Sequence, residues 1–116
     1  MQEILEKLNR VRGVGGSLVL SIEGLPMASV LRAGSDENAL AAAVGSVVEQ
    51  SSNLCKQLDL GATRAAQVLT GGQGGLMVTS AGNGWLAIIM DPTANLALLQ
   101  LEVRPFAERI AQRLTL

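Results

Sequence analysis

Thr70–Leu76 reads TGGQGGL, four glycines in five positions with a glutamine between the pairs. Glycine-dense loops are where backbone N–H groups close on phosphates, so this stretch asks whether the chain handles a nucleotide. A phosphate loop of the G-x-x-x-x-G-K-[ST] type needs a lysine for the phosphates and a hydroxyl for the metal. Here Gly75 is followed by Leu76 and Met77, and the two nearest lysines, Lys7 and Lys56, follow no glycine loop. A second stretch, Gly82-Asn83-Gly84-Trp85-Leu86-Ala87, matches G-x-G-x-x-[GA]. That pattern holds a dinucleotide only where the loop opens a helix whose N-terminus binds the pyrophosphate. The continuation WLAIIM is strand-like and Pro92 follows soon after, which leaves no room for that helix. Both clusters therefore read as hairpin turns, where glycine enters positive φ at no steric cost.

Other chemistry is excluded by what the chain lacks. It has no histidine and no tyrosine, so histidine acid/base work, a Ser-His-Asp set and an ordinary zinc site are ruled out. Its ten carboxylates form no obvious pair. Neither a cofactor nor a metal is expected, and an enzyme is the last reading. Nine basic residues against ten acidic ones give a net charge of -1, which draws the chain to neither nucleic acid nor an anionic membrane. One cysteine, Cys55, allows no internal disulfide; with no signal-like start, this favours the cytoplasm. Cys55 itself reads as a small buried hydrophobe. Ala65–Met90 is uncharged, but glycines, Gln67, Gln73 and Asn83 interrupt it. A spanning helix needs about 20 mainly apolar residues, so no membrane insertion is expected.

The elements that must carry any surface come next. At 116 residues the chain reads as one domain, 1–116. Ile4, Leu5, Leu8 and Val11 predict a helix over residues 2–11, closed by Gly13. Leu18, Leu20 and Ile22 alternate with Ser17, Val19 and Ser21 as in a strand. Glu23-Gly24 turns the chain into a second strand, Met27–Arg32, which Pro26 assigns to a sheet edge. A long helix follows, capped by Ser35 or Asp36, with Glu37 in its first turn and Gly61 at its end. It spans about 24 residues, roughly 36 Å. Leu40, Val44, Val47, Leu54 and Leu58 form its core stripe.

Three strand segments follow: Thr63–Thr70, Leu76–Ser80 and Trp85–Asp91, the last two joined by an Asn83-Gly84 hairpin. WLAIIM, apolar without alternation, sits mid-sheet with helices over both faces, giving three layers. Met27, Met77 and Met90 fill strands, and Trp85 belongs to the core. Leu96, Leu99, Val103, Phe106, Ile110 and Leu114 mark a final helix that runs through an outward Pro105. The alternative is a strand at Ala97–Val103 and a helix starting at Pro105.

This order, with EGLPMAS in the first hairpin and GNGWLAIIMDPTANLALLQLEV near the end, resembles the roadblock / dynein light chain family over nearly the whole chain. The best markers are the GLP-x-AS strand and the D-P-x-A-N-L passage into the last helix. The resemblance implies an α+β fold: a three-layer α/β/α, profilin-like domain with a five-stranded antiparallel sheet. The long helix would cover one face and the two terminal helices the other. It implies a homodimer, or a pair with a related chain, joined by edge strands and long helices. It also implies a non-catalytic role, since bacterial and archaeal members commonly bind and regulate Ras-like small GTPases and eukaryotic ones scaffold motors or GTPase complexes.

Three surfaces fit that role. Ala41, Gly45, Val48, Ser52 and Cys55 form a shoulder of small residues beside the core stripe, where a twofold copy of the helix could approach. Ala39, Ala42 and Ser46 point outward without charge, continued by Glu49, Asn53 and Lys56, as a docking face for the GTPase. In both cases the competing reading is ordinary alanine-rich helix surface. Arg64, Ala65, Ala66, Gln67 and Val68 form a light edge strand, guarded only by Arg64, on which two copies can join. Arg104, Arg109 and Arg113 read as solvated helix surface, and no arginine finger is assignable. A dimeric GTPase regulator leads; a scaffold subunit blind to nucleotide state comes second and a small-molecule sensor third.

Overall fold

The computed structural model describes residues 1–70 and 72–114. In chain order the elements are α1 (Gln2–Leu8), β1 (Val14–Ser21), β2 (Pro26–Val30), α2 (Glu37–Gln57), β3 (Ala65–Leu69), β4 (Gly75–Ala81), β5 (Gly84–Met90) and α3 (Leu96–Leu114). The strands form one five-stranded sheet in the order β2-β1-β5-β4-β3, antiparallel at every step.

β5 lies at the centre because its side chains are apolar on both sides. Leu86 and Ile88 pack with Leu5, Leu8, Val103 and Ile110 of the terminal helices. Ala87 turns the other way and packs with Leu18, Leu20, Val78 and Val44 under the long helix. The three-layer expectation and the helix placement hold. Each such leucine or isoleucine, fully buried, stabilises the fold by roughly 1.5–3 kcal/mol relative to exposure.

α3 is continuous through Pro105, so no strand forms at Ala97–Val103. Proline removes the N–H that would bond the Leu101 carbonyl, and Leu101 is 62% exposed, so water can serve that carbonyl. α1 stops at Leu8 rather than residue 11 because Asn9 bonds elsewhere. Its Nδ2 donates to the Val30 carbonyl at 3.0 Å, and its Oδ1 accepts from the Ser17 hydroxyl at 2.6 Å.

β1 starts at Val14 and ends before Ile22, which sits at the hairpin tip, 69% exposed. β2 ends at Val30, not Arg32, and is an edge strand as Pro26 demands. α2 has 21 residues and ends before Gly61. Asp59, at φ 57, turns the chain out, with Leu60 N–H bonded to the Cys55 carbonyl at 2.8 Å and Asp59 N–H to Lys56 at 3.2 Å. That is a Schellman closure with aspartate in the left-handed position.

The β4–β5 turn is Gly82-Asn83, one residue before the expected pair, with positive φ only at Gly82. This is the pattern of a type II′ turn. TGGQGGL closes the β3–β4 hairpin, with Gly71 outside the described residues. The Thr70 hydroxyl donates to the Gly74 carbonyl at 2.8 Å and accepts from Gln73 N–H at 3.2 Å. Gly74 has φ 107, and a Cβ there would run into the Met90 carbonyl.

Candidate functional site

The long helix is anchored at its start and loosely covered at its end. The Asp36 carboxylate caps it by accepting from Ala39 N–H at 3.1 Å, and Glu37 accepts a hydrogen bond from the Ser29 hydroxyl on β2. Over the first half, Leu40, Ala41, Val44, Val47 and Val48 rest on the sheet. On the opposite side Ala39, Ala42, Ser46, Glu49, Asn53 and Lys56 are all exposed. The six residues expected to form a docking face thus share one solvent-facing side.

The shoulder divides. Ala41 is 4% exposed and belongs to the core, and Val48 packs against that core. These two are sheet-facing because the buried stripe is centred on Val44 and is broad enough to take both. Gly45 is open, with nothing within 4 Å of where its Cβ would be. Ser52 and Cys55 are half-buried and met by the Thr63 hydroxyl, 3.5 Å from Ser52 Oγ and 3.4 Å from Cys55 Sγ.

The core stripe fails where the shoulder continues. Leu54 and Leu58 are 53% and 59% exposed, and Leu60 is 67% exposed. The periodicity identified which residues share a face, but not what lies under it. Beneath this half of α2 runs β3, whose AAQVL side chains are too light to cover leucines. Leu54, Leu58 and Leu60 are therefore surface residues that sequence reasoning missed.

β3 is the far edge of the sheet and, among the described residues, pairs only with β4, from Ala65↔Thr79 to Leu69↔Gly75. The Arg64 carbonyl adds one bond from Ser80 N–H at 2.8 Å. Arg64, Ala65, Gln67, Val68 and Leu69 are exposed and Ala66 is half-buried. Beside it, on the α3 side, an open groove of about 340 Å³ is lined by Ala65, Gln67, Met77, Thr79, Val103, Arg104, Ala107 and Glu108 among others. Its polar lining is mostly exposed, from Gln67, Ser80, Gln100, Arg104 and Glu108, with Thr79 half-buried.

The D-P-x-A-N-L passage serves structure. Asp91 accepts from Thr93 N–H at 2.8 Å and from its hydroxyl at 2.5 Å. Those two bonds, hydroxyl first, with Arg32 and Arg12 nearby, hold the Asp91 carboxyl below its ordinary pKa. Asn95 then caps α3, its Oδ1 accepting from Leu98 N–H at 3.2 Å. Among the described residues no group of three or more Cys, Asp or Glu is placed to hold a metal, and no helix is long and apolar enough to cross a membrane.

Comparison with known proteins agrees with this architecture. The family model of the Roadblock/LC7 domain matches residues 1–90. An uncharacterised protein of Methanocaldococcus jannaschii is 30% identical over 114 residues, covering 95% of this chain and 92% of its own length. The crystal structure of a Roadblock/LC7 domain from Streptomyces avermitilis superposes with a TM-score of 0.89 at 20% identity, over 100% of this chain and 98% of that one. A structure of MglB in a tetrameric arrangement is 26% identical with a TM-score of 0.81, over 95% of this chain and 84% of that one. With the three layers, the strand order and the GLP and D-P-x-A-N-L passages in place, the chain belongs to the Roadblock/LC7 domain family.

Proposed function

We propose that this chain is a non-catalytic, dimeric binding module that regulates a Ras-like small GTPase in the cytoplasm. The observation that carries the reading is on α2. One side of the helix bears no charge over Ala39, Ala42 and Ser46, and its far end leaves three leucines more than half exposed beside a bare sheet edge. Exposed apolar surface rimmed by polar residues marks interaction sites. The two surfaces suit two partners. The edge Ala65–Val68 joins a second copy, or a related chain, into one continuous sheet, with Leu54, Leu58 and Leu60 covered alongside. The face Ala39–Lys56 then meets the GTPase, with Glu49, Asn53 and Lys56 setting orientation.

Such a module acts through differential affinity for the two nucleotide states, not through chemistry of its own. A hundredfold preference for the hydrolysis-competent arrangement corresponds to a bias of roughly 2.7 kcal/mol. Size-exclusion chromatography with light scattering, using a Ras-like GTPase from the same organism loaded with GDP or a non-hydrolysable GTP analogue, tests this. A complex with the analogue alone supports state reading, and Ala42→Arg should abolish it with the fold intact. Equal binding to both forms would assign the chain to a scaffold instead.

A further inference from the structure

We propose that the outer face of α3 is a second self-association surface, on which α3 packs antiparallel against α3 of another copy about a twofold axis near Pro105. The inner side of this helix is accounted for, since Leu99, Val103 and Ile110 are buried on the sheet. On the opposite side Leu98 and Leu101 are 51% and 62% exposed, and Pro105 is exposed with them. Their spacing of three and then four residues puts them on one outward stripe. An outward proline bows the helix toward solvent, so its middle meets a partner first.

The charges beside the stripe identify the partner. Glu102 and Arg109 share the flank nearer α1, where Arg109 lines a hollow with Glu3 and Lys7, and Glu102 lines one with Arg12. Arg104 and Glu108 share the other flank, where both line the groove with Ala65 and Gln67. A twofold axis between antiparallel helices sets each flank against the same flank of its mate. It also pairs residues equally far on either side of one centre. Glu102 and Arg109 are centred between residues 105 and 106, Arg104 and Glu108 on residue 106, and the helix Leu96–Leu114 on residue 105.

A single centre therefore sets Glu102 against Arg109 and Arg104 against Glu108, each twice by symmetry, with the helices overlapping along their roughly 28 Å. Moving the centre back to Arg104 or on to Glu108 would place that residue opposite its own copy, like against like. A partner of unrelated sequence gives no reason for the two flanks to share a centre; a second copy of this chain does. One flank, Arg104 and Glu108, borders the β3 edge across the groove, while the flank of Glu102 and Arg109 lies on the α1 side, away from that edge.

The test uses the full chain in two arms. Sedimentation equilibrium compares wild type with Glu102→Arg, Arg109→Glu and the double swap, on the flank away from the β3 edge. Each single change sets like charges together at two symmetric points and should weaken this association about tenfold; the double swap should restore it. In a Cys55→Ser background, Pro105→Cys should crosslink to its copy under mild oxidation. Leu98→Cys, exposed on the same stripe but roughly 20 Å from its own copy in this register, should not. Single variants that associate like wild type, a loss the double swap does not restore, or equal crosslinking at both positions would each overturn the proposal. If the β3 edge does not pair, the α3 pair alone still responds to the charge changes, so the two ideas fail separately.

Discussion

The sheet has two edges, and they are finished differently. At β2 the strand opens with Pro26, which has no N–H to offer, and its register with β1 shifts between Val19 and Leu20. The Ser29 and Val30 carbonyls accept from Gln2 and Asn9 of the α1 segment. At β3 the register runs unbroken, with no proline and no charge between Ala65 and Leu69. Proline, bulges and covering side chains are the devices that stop an edge from recruiting another strand. This molecule places them all on one side.

Exposed apolar area alone would not have separated the two edges. Ile22, Leu25 and Met27 at the β1–β2 hairpin are as open as Leu54 and Leu58 beside β3. The backbone makes the difference, and the unguarded edge is the one we propose for a partner.

The largest expected effect falls on the hairpin that presents β3. Gly74→Ala combines positive φ with a collision at the Met90 carbonyl and should cost about 2–4 kcal/mol. Gly24→Ala in the β2 hairpin has φ +91 but open space, so strain alone costs about 1 kcal/mol. Urea denaturation of the pair compares the two hairpins directly, and equal losses would remove the distinction. Next comes Asn9→Ala, which strips a covering bond from β2 and leaves the fully buried Ser17 hydroxyl without its acceptor. A loss of about 1–3 kcal/mol is expected, more than for Ser17→Ala, which removes the stranded group itself.

Val68→Lys should change monomer stability by less than about 0.5 kcal/mol, because the site is exposed, yet remove the pairing through β3, so that light scattering reports a smaller assembly than wild type. Met27→Lys at the guarded edge should leave the oligomer unchanged. The smallest effect is in acid. The Asp91 carboxyl is held below its ordinary value, so the unfolded chain binds its proton first as pH falls. Stability from this group is therefore present above the ordinary carboxylate pKa and lost as pH falls through the lowered one. Asp91→Ala should flatten that acid slope in thermal melts.

Much of this was legible in the residues. Pro26 marked an edge, WLAIIM marked the centre, and the stripe from Leu96 to Leu114 gave a helix through Pro105, because each pattern reports burial on its own element. What stayed hidden depended on neighbours. Leu54 and Leu58 carry a core signature, yet lie over a strand of small side chains and face solvent. Ala41 looks like a small surface residue, yet is buried in the core beside Val44. Asp59 ends α2 although Gly61 is the better left-handed residue, because the Cys55 and Lys56 carbonyls were satisfied two residues sooner. The six residues expected to form a docking face were placed on one exposed side by periodicity alone, since facing water requires no particular partner.

Amide hydrogen exchange at low and high protein concentration tests the edge assignment most directly. Protection over Ala65–Leu69 should rise with concentration while Pro26–Val30 stays the same, since only β3 gains a strand from a second copy. Rapid exchange in β3 at every concentration, or concentration-dependent protection at β2 instead, would contradict it.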